Sequence, residues 1–171
     1  MEYKKVVIDA YRTDIEDISE PLKEYEVLAG GNLREISEPS LLGVRINGKW
    51  GWIDNSGKLI IPAEYDNGFV ICYNGIIILK KNGKEGGLYR KDLTTAFSFK
   101  YDYLGHSYGN TYCAYLNDNC FLVKPGDKVI TSKKYHGFLL NYGNRVTGFV
   151  RYNFWGERVE GKIDLETGEE L

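Results

Sequence analysis

No segment of this sequence approaches the roughly 18 consecutive apolar residues of a membrane-spanning helix. Near the amino terminus the apolar run is only Val6-Val7-Ile8, broken by Asp9, far short of the core of a secretory leader. The chain is therefore expected in the cytoplasm and off the membrane. Histidine is scarce as well: His106 and His136 are the whole supply. With Cys113 and Cys120 they run at intervals of 7, 7 and 16, which lacks the short ligand pairs of usual zinc sites. The three cysteines, Cys72, Cys113 and Cys120, are an odd count, and reduced, buried thiols account for them better than a disulfide framework does. The phosphate-cradling GxxxxGKS/T loop, a GxGxxG turn behind a strand and the GxSxG elbow are all missing. A cysteine could meet an imidazole in space by inventory alone, and spacing singles out no carboxylate pair. The expectation is no metal, no cofactor and no enzymatic activity.

What is plentiful points to sheet. Fourteen tyrosines and 20 glycines stand against one methionine, and aromatic residues suit a pleated surface while glycine suits turns. The expected class is all-β with little helix, in a single domain spanning 1–171, a length sufficient for one core. Charge is uneven beneath a net value of −2: residues 1–40 sum to −5, residues 41–155 to +7 and residues 156–171 to −4. Acidic ends on a basic middle either clamp on one another or leave the middle facing an anionic partner.

The chain also repeats itself. Asn47-Gly48-Lys49-Trp50-Gly51-Trp52-Ile53-Asp54 returns 35 residues later as Asn82-Gly83-Lys84-Glu85-Gly86-Gly87-Leu88-Tyr89, without its tryptophans. Each copy leads to an apolar run ending in tyrosine and an acid, at Tyr65-Asp66 and Tyr101-Asp102. Weaker echoes lie at Pro21 to Glu26, at Cys120 to His136 and at Gly161 to Gly168, giving about four degenerate units with the best copies at 43–66 and 78–102. Trp155-Gly156 has the dipeptide without the residues that should follow it, and is set aside.

Residues 48 to 66 resemble the bacterial WG repeat: glycine, lysine, tryptophan, glycine, an aromatic, isoleucine and aspartate, a glycine turn, then a short strand with proline, tyrosine and an acid. The resemblance implies an all-β scaffold of short antiparallel units used for binding, with no catalytic residue set to carry over. Such proteins also occur beside antibacterial toxin genes, where they are taken for immunity proteins.

Read residue by residue, the unit is a strand, a turn and a strand. Asn47-Gly48, Asn74-Gly75 and Asn82-Gly83 suit two-residue turns with positive φ. Trp50 and Trp52 fall on one face of a strand, Gly51 leaves room for close approach, and Asp54 to Gly57 close the next turn. Pro62 marks a strand end or an edge. One stretch, Ser19 to Leu28, offers a capped helix, although the repeat alignment places loop and strand there. The expected assembly is an antiparallel meander of hairpins in a twisted or partly closed sheet, with the Ile163-Asp164 half-unit available to pair with the first.

Two groups of residues are candidates for recognition. Lys80, Lys81, Lys84, Arg90 and Lys91 surround a turn with Tyr89 among them, an arrangement that grips phosphates or simply guards a sheet edge. Tyr101, Tyr103, Tyr108 and Tyr112, with Tyr115, crowd one region, as interface anchors or as core. The preferred function is a non-enzymatic module recognising a protein partner, including an immunity-type protein that neutralises a toxin. The alternatives are a binder of a small ligand, a nucleotide-derived signal or a saccharide, with an anionic ligand suiting the basic hairpin, and a cryptic enzyme. Nucleic acid is disfavoured as a partner.

Overall fold

A computed structural model describes residues 14–27, 33–35, 41–68, 70–139 and 144–171. The amino-terminal apolar run Val6-Val7-Ile8 lies outside them. In chain order the strands begin with β1 (Asp17–Pro21), β2 (Lys23–Val27), β3 (Leu33–Glu35), β4 (Leu42–Ile46), β5 (Lys49–Ile53) and β6 (Leu59–Tyr65). They continue with β7 (Ile71–Tyr73), β8 (Ile76–Lys81), β9 (Lys84–Tyr89) and β10 (Thr95–Tyr101). Then come β11 (Tyr103–Tyr108), β12 (Thr111–Leu116), β13 (Asn119–Lys124) and β14 (Lys128–Val129). The last three are β15 (Gly137–Leu139), β16 (Val146–Tyr152) and β17 (Arg158–Asp164). The described residues contain no helix; of the stretch offered as one, Ser19 to Leu28, residues 19–27 are described and carry the end of β1 and all of β2.

The hairpins fall into four sheets: β1-β4-β5-β6, β10-β9-β8-β7-β2-β3, β11-β12-β13-β14 and β15-β16-β17. Local chemistry explains most of the pairing. Asn47 and Gly48 have φ of 51° and 74°, Asn74 and Gly75 48° and 73°, and Asn82 and Gly83 52° and 77°, the left-handed pair that a two-residue hairpin needs. Asn117-Asp118, at 51° and 61°, turns β12 into β13 in the same way. The repeat is also visible in its irregularities. Between Trp52↔Ile61 and Trp50↔Tyr65 the edge strand β6 carries extra residues, and β10 does the same between Phe97↔Gly87 and Tyr101↔Glu85. Pro62 therefore sits inside β6, at the bulge of an edge strand, rather than at its end. At the first bulge the β6 backbone comes so close to Gly51 that a Cβ there would lie 2.7 Å from the Ala63 nitrogen and the Ile61 oxygen.

Two pairings depart from a simple meander. β2 leaves the first unit and pairs parallel with β7, Lys23↔Ile71 to Tyr25↔Tyr73, carrying β3 with it. At the other end Ile163 pairs with Thr147 on β16 and bridges Glu170, so among the described residues the terminal half-unit closes on its own neighbour.

The core lies between successive sheets. Trp52, Ile61 and Tyr65 of the first meet Cys72, Ile77, Leu79 and Leu88 of the second, with Trp50 packed beside them. Phe97 and Tyr101 of the second meet Leu104, Tyr112 and Val123 of the third. Cys113, Cys120 and Leu122 of the third meet Phe149 and Ile163 of the fourth.

Candidate functional site

Three of the five candidate cations on the basic hairpin of β8 and β9 have acidic neighbours. Lys81 Nζ stands 3.0 Å from Glu64, Lys84 pairs with Asp102, and Lys91 lies 4.0 Å from Asp92 and over the Tyr89 ring at 5.6 Å. The backbone of Lys80 bonds Asp66 and the Asn67 side chain, and the Arg90 N–H donates to the Gly75 carbonyl. Tyr89 is half-buried against the second cluster. β8 and β9 are inner strands of the second sheet, so these groups guard no edge, as the sequence had allowed, and are surface charges around a hairpin turn.

The tyrosines separate in the same way. Tyr101 and Tyr112 are fully buried; the Tyr101 hydroxyl donates to Asp127 at 2.8 Å and the Tyr112 hydroxyl to the Tyr73 carbonyl at 3.2 Å. Both are core, out of reach of a partner. Tyr103 is 44% exposed and packs edge-on against Tyr115 at 5.9 Å. Tyr108 is half-buried and lines a different hollow, with Asn74, Gly109 and Lys124. The ten candidate residues are thus spread over the second and third sheets and do not converge.

The histidines also differ. His106 is buried, stacked on Tyr73 and edge-on to Tyr112, each at 5.3 Å, with Nε2 2.9 Å from the Gly109 carbonyl. Burial lowers its pKa, partly offset by that bond. His136 is exposed and meets the Tyr152 ring at 4.7 Å.

The most unusual surface lies on the fourth sheet. Strand alternation sends Thr147 and Phe149 of β16 inward and Val146, Val150 and Tyr152 outward. Leu139, paired with Gly148, lies over it on the outward face. Leu139 is 67% exposed, Val146 39% and Tyr152 49%. This face runs into the turn joining β16 to β17, where Phe154 is 92% exposed and Trp155 80%, their rings edge-to-face at 5.2 Å. No buried cluster among the described residues draws on these side chains.

The turn itself is well held. Asn153 Oδ1 accepts from the N–H groups of Trp155 and Glu157 at 2.9 and 3.0 Å, and its Nδ2 donates to Glu157 at 2.8 Å. The Gly156 N–H reaches the Asn153 carbonyl at 3.0 Å, and Gly156 has φ of 79°. The turn after β5 has the same build. Asp54 Oδ1 accepts from Ser56 and Lys58, the Gly57 N–H donates to the Asp54 carbonyl, and Gly57 has φ of 80°. The Asp164 to Gly168 turn follows the pattern again. The tryptophan-glycine pair at 155–156 is therefore a strand-reversal element, out of phase with the one at 50–51. Phe154 and Trp155 stand where the first turn has Asn55 and Ser56. The sequence did contain a signal for this surface: two large apolar residues between an amide cap and a glycine, in a position that packing does not require.

With this geometry in place, the comparisons bear on the repeat. Residues 50–84 match the family described as WG containing repeat. The chain carries a WG repeat. The matched span runs from β5 through β6, β7 and β8 to the start of β9, so a WG repeat here begins in one sheet and ends in the next. No curated protein matches the chain. Two solved structures of Kluyveromyces lactis Hsv2, one with a complete loop 6CD, are similar to it at 12% and 14% identity, with TM-scores of 0.38 and 0.37. The matches cover 90% of this chain and 63% and 62% of those chains, so the chain spans less than two thirds of their length. Likeness at that level transfers neither fold nor function.

Proposed function

We propose that this WG-repeat chain is a non-enzymatic cytoplasmic module that binds a protein partner through the outer face of its last sheet and the Phe154-Trp155 turn. The observation that carries the reading is the placement of two large aromatics, 92% and 80% exposed, at turn positions that are polar in the sibling turn. Cohesion of the fold gains nothing from them there. A protein pocket gains much: tryptophan is a frequent anchor of binding energy, and a tip already bonded into shape loses little freedom on docking. Leu139, Val146 and Tyr152 extend the apolar contact, and Arg158, Glu160 and Lys162 of β17 give it a charged flank. An immunity-type protein that covers a toxin uses a surface of this kind.

The experiment is paired affinity capture from the native host with the full chain and its F154S/W155S variant as baits. The expected result is a protein enriched by the wild type and lost with the variant, with affinity falling roughly tenfold or more for W155A alone. A partner retained equally by both baits, or none recovered at micromolar bait, overturns the proposal.

A further inference from the structure

Cys113 on β12 and Cys120 on β13 are free thiols, 1% and 0% exposed. Cys113 pairs with Leu122 and Cys120 with Tyr115, so the cysteines are diagonal neighbours on one face of the third sheet. Their Sγ atoms lie 3.2 Å apart, inside the about 3.5–4.0 Å of ordinary apolar contact. Filling space does not demand this, since Cys72 serves as a single apolar side chain in another cluster.

Two further features bear on reactivity. Cys113, although only 1% exposed, borders a hollow of about 560 Å³ that Tyr103, Tyr115 and Phe138 also line. Cys120 is hydrogen-bonded by the Cys113 thiol and by the Tyr115 hydroxyl, which makes it the more acidic of the two, while its partner's thiol is pushed up. Cys120 also sits where the third sheet joins the chain leading to the fourth: its N–H donates to the Tyr135 carbonyl at 2.9 Å and its carbonyl accepts from the Tyr135 N–H at 3.2 Å.

We propose that Cys113 and Cys120 form a reversible dithiol–disulfide couple, closed by exchange with a low-molecular-weight disulfide that enters through the Tyr103, Tyr115 and Phe138 hollow. Cys113, its proton passing to the Cys120 thiolate 3.2 Å away, attacks one sulfur of oxidised glutathione; that S–S bond breaks, a mixed disulfide forms and one glutathione thiolate leaves. Cys120, giving its proton to the departing glutathione sulfur, then attacks the Cys113 sulfur, forming the intramolecular S–S bond and expelling the second glutathione as its thiol. The two protein thiols are oxidised, glutathione disulfide is reduced to two thiols, and the two protons lost by the protein end on them.

The test equilibrates the native full chain in glutathione buffers of rising oxidised fraction, quenches with acid, alkylates the remaining thiols and counts them by mass. The thiol count is expected to fall from three to one, with peptide mapping joining Cys113 to Cys120 and Cys72 alkylated throughout. C72S is expected to close the same bridge, and C113S and C120S to form none. Three alkylated thiols at every ratio, a persistent glutathione adduct on the wild type, or a bridge involving Cys72 overturns the proposal.

Discussion

At the scale of the residue, the clearest contrasts are between glycines. Gly48 needs its positive φ of 74° and has open space around it, whereas Gly51 is pressed against the backbone of β6. Gly48→Ala is expected to cost about 1 kcal/mol from conformation alone. Gly51→Ala forces a Cβ into atoms that cannot swing away and is expected to cost about 3 kcal/mol, at the upper end of overpacking losses. Urea midpoints of the two variants check the order. Trp155→Ala tests the opposite kind of residue. It is expected to leave stability within about 0.5 kcal/mol of the wild type, as an exposed side chain should, so that any loss of partner binding belongs to the surface and not to the fold.

At the scale of the element, each unit is fastened to the turn of the next by an acid. Asp66 accepts from Lys49 Nζ at 2.6 Å within its own unit and from the Gly83 N–H of the following turn at 2.7 Å. Asp102 does the same for Lys84 and, at 3.0 Å, for the N–H of Asn117. Glu16 reaches the Gly48 N–H at 3.1 Å. The lysine, the tyrosine-acid pair and the asparagine turn of the repeat are thus three parts of one clasp, which explains why they recur at matched spacing. Lysine pairs at a surface contribute little, but the acid also satisfies a backbone donor. Asp66→Ala is accordingly expected to cost about 1–2 kcal/mol and Lys49→Ala less than about 1 kcal/mol by guanidinium denaturation.

At the scale of the whole molecule, the acidic ends do clamp on the basic middle. Arg45 meets Glu16 and Asp17; Arg145 meets Asp164 and Glu166; Glu170 meets Arg151 at 2.8 Å and Lys133 at 2.6 Å. The Arg151 guanidinium leads in holding the Glu170 carboxyl at about 2, against partial burial and with help from Lys133 and the Tyr135 hydroxyl. The folded pKa lies below the ordinary 4.5, so the stabilisation is fully present above that value and is lost as pH falls through 4.5 towards about 2. Glu170→Gln is expected to cost about 2 kcal/mol at neutral pH and to flatten the decline of stability in that acid window, read from thermal unfolding at a series of pH values.

What the sequence alone determined is whatever depends on a few neighbouring residues. The asparagine-glycine pairs dictate positive φ, alternation puts Trp50 and Trp52 on one face, and the 35-residue echo reappears as matched bulges opposite Gly51 and Gly86. Tertiary structure decided what depends on distant partners. Tyrosine suits core and surface alike, so only packing could send Tyr101 and Tyr112 inside while leaving Tyr103 half out. The crossing of β2 to a parallel seat beside β7 has no local signal, because strand partners are chosen by long-range burial. The 3.2 Å approach of two sulfurs and the bare aromatic turn at 154–155 likewise follow from how one sheet lies on the next. Turn and face are properties of adjacent dihedrals, whereas contact and exposure are properties of the assembled stack.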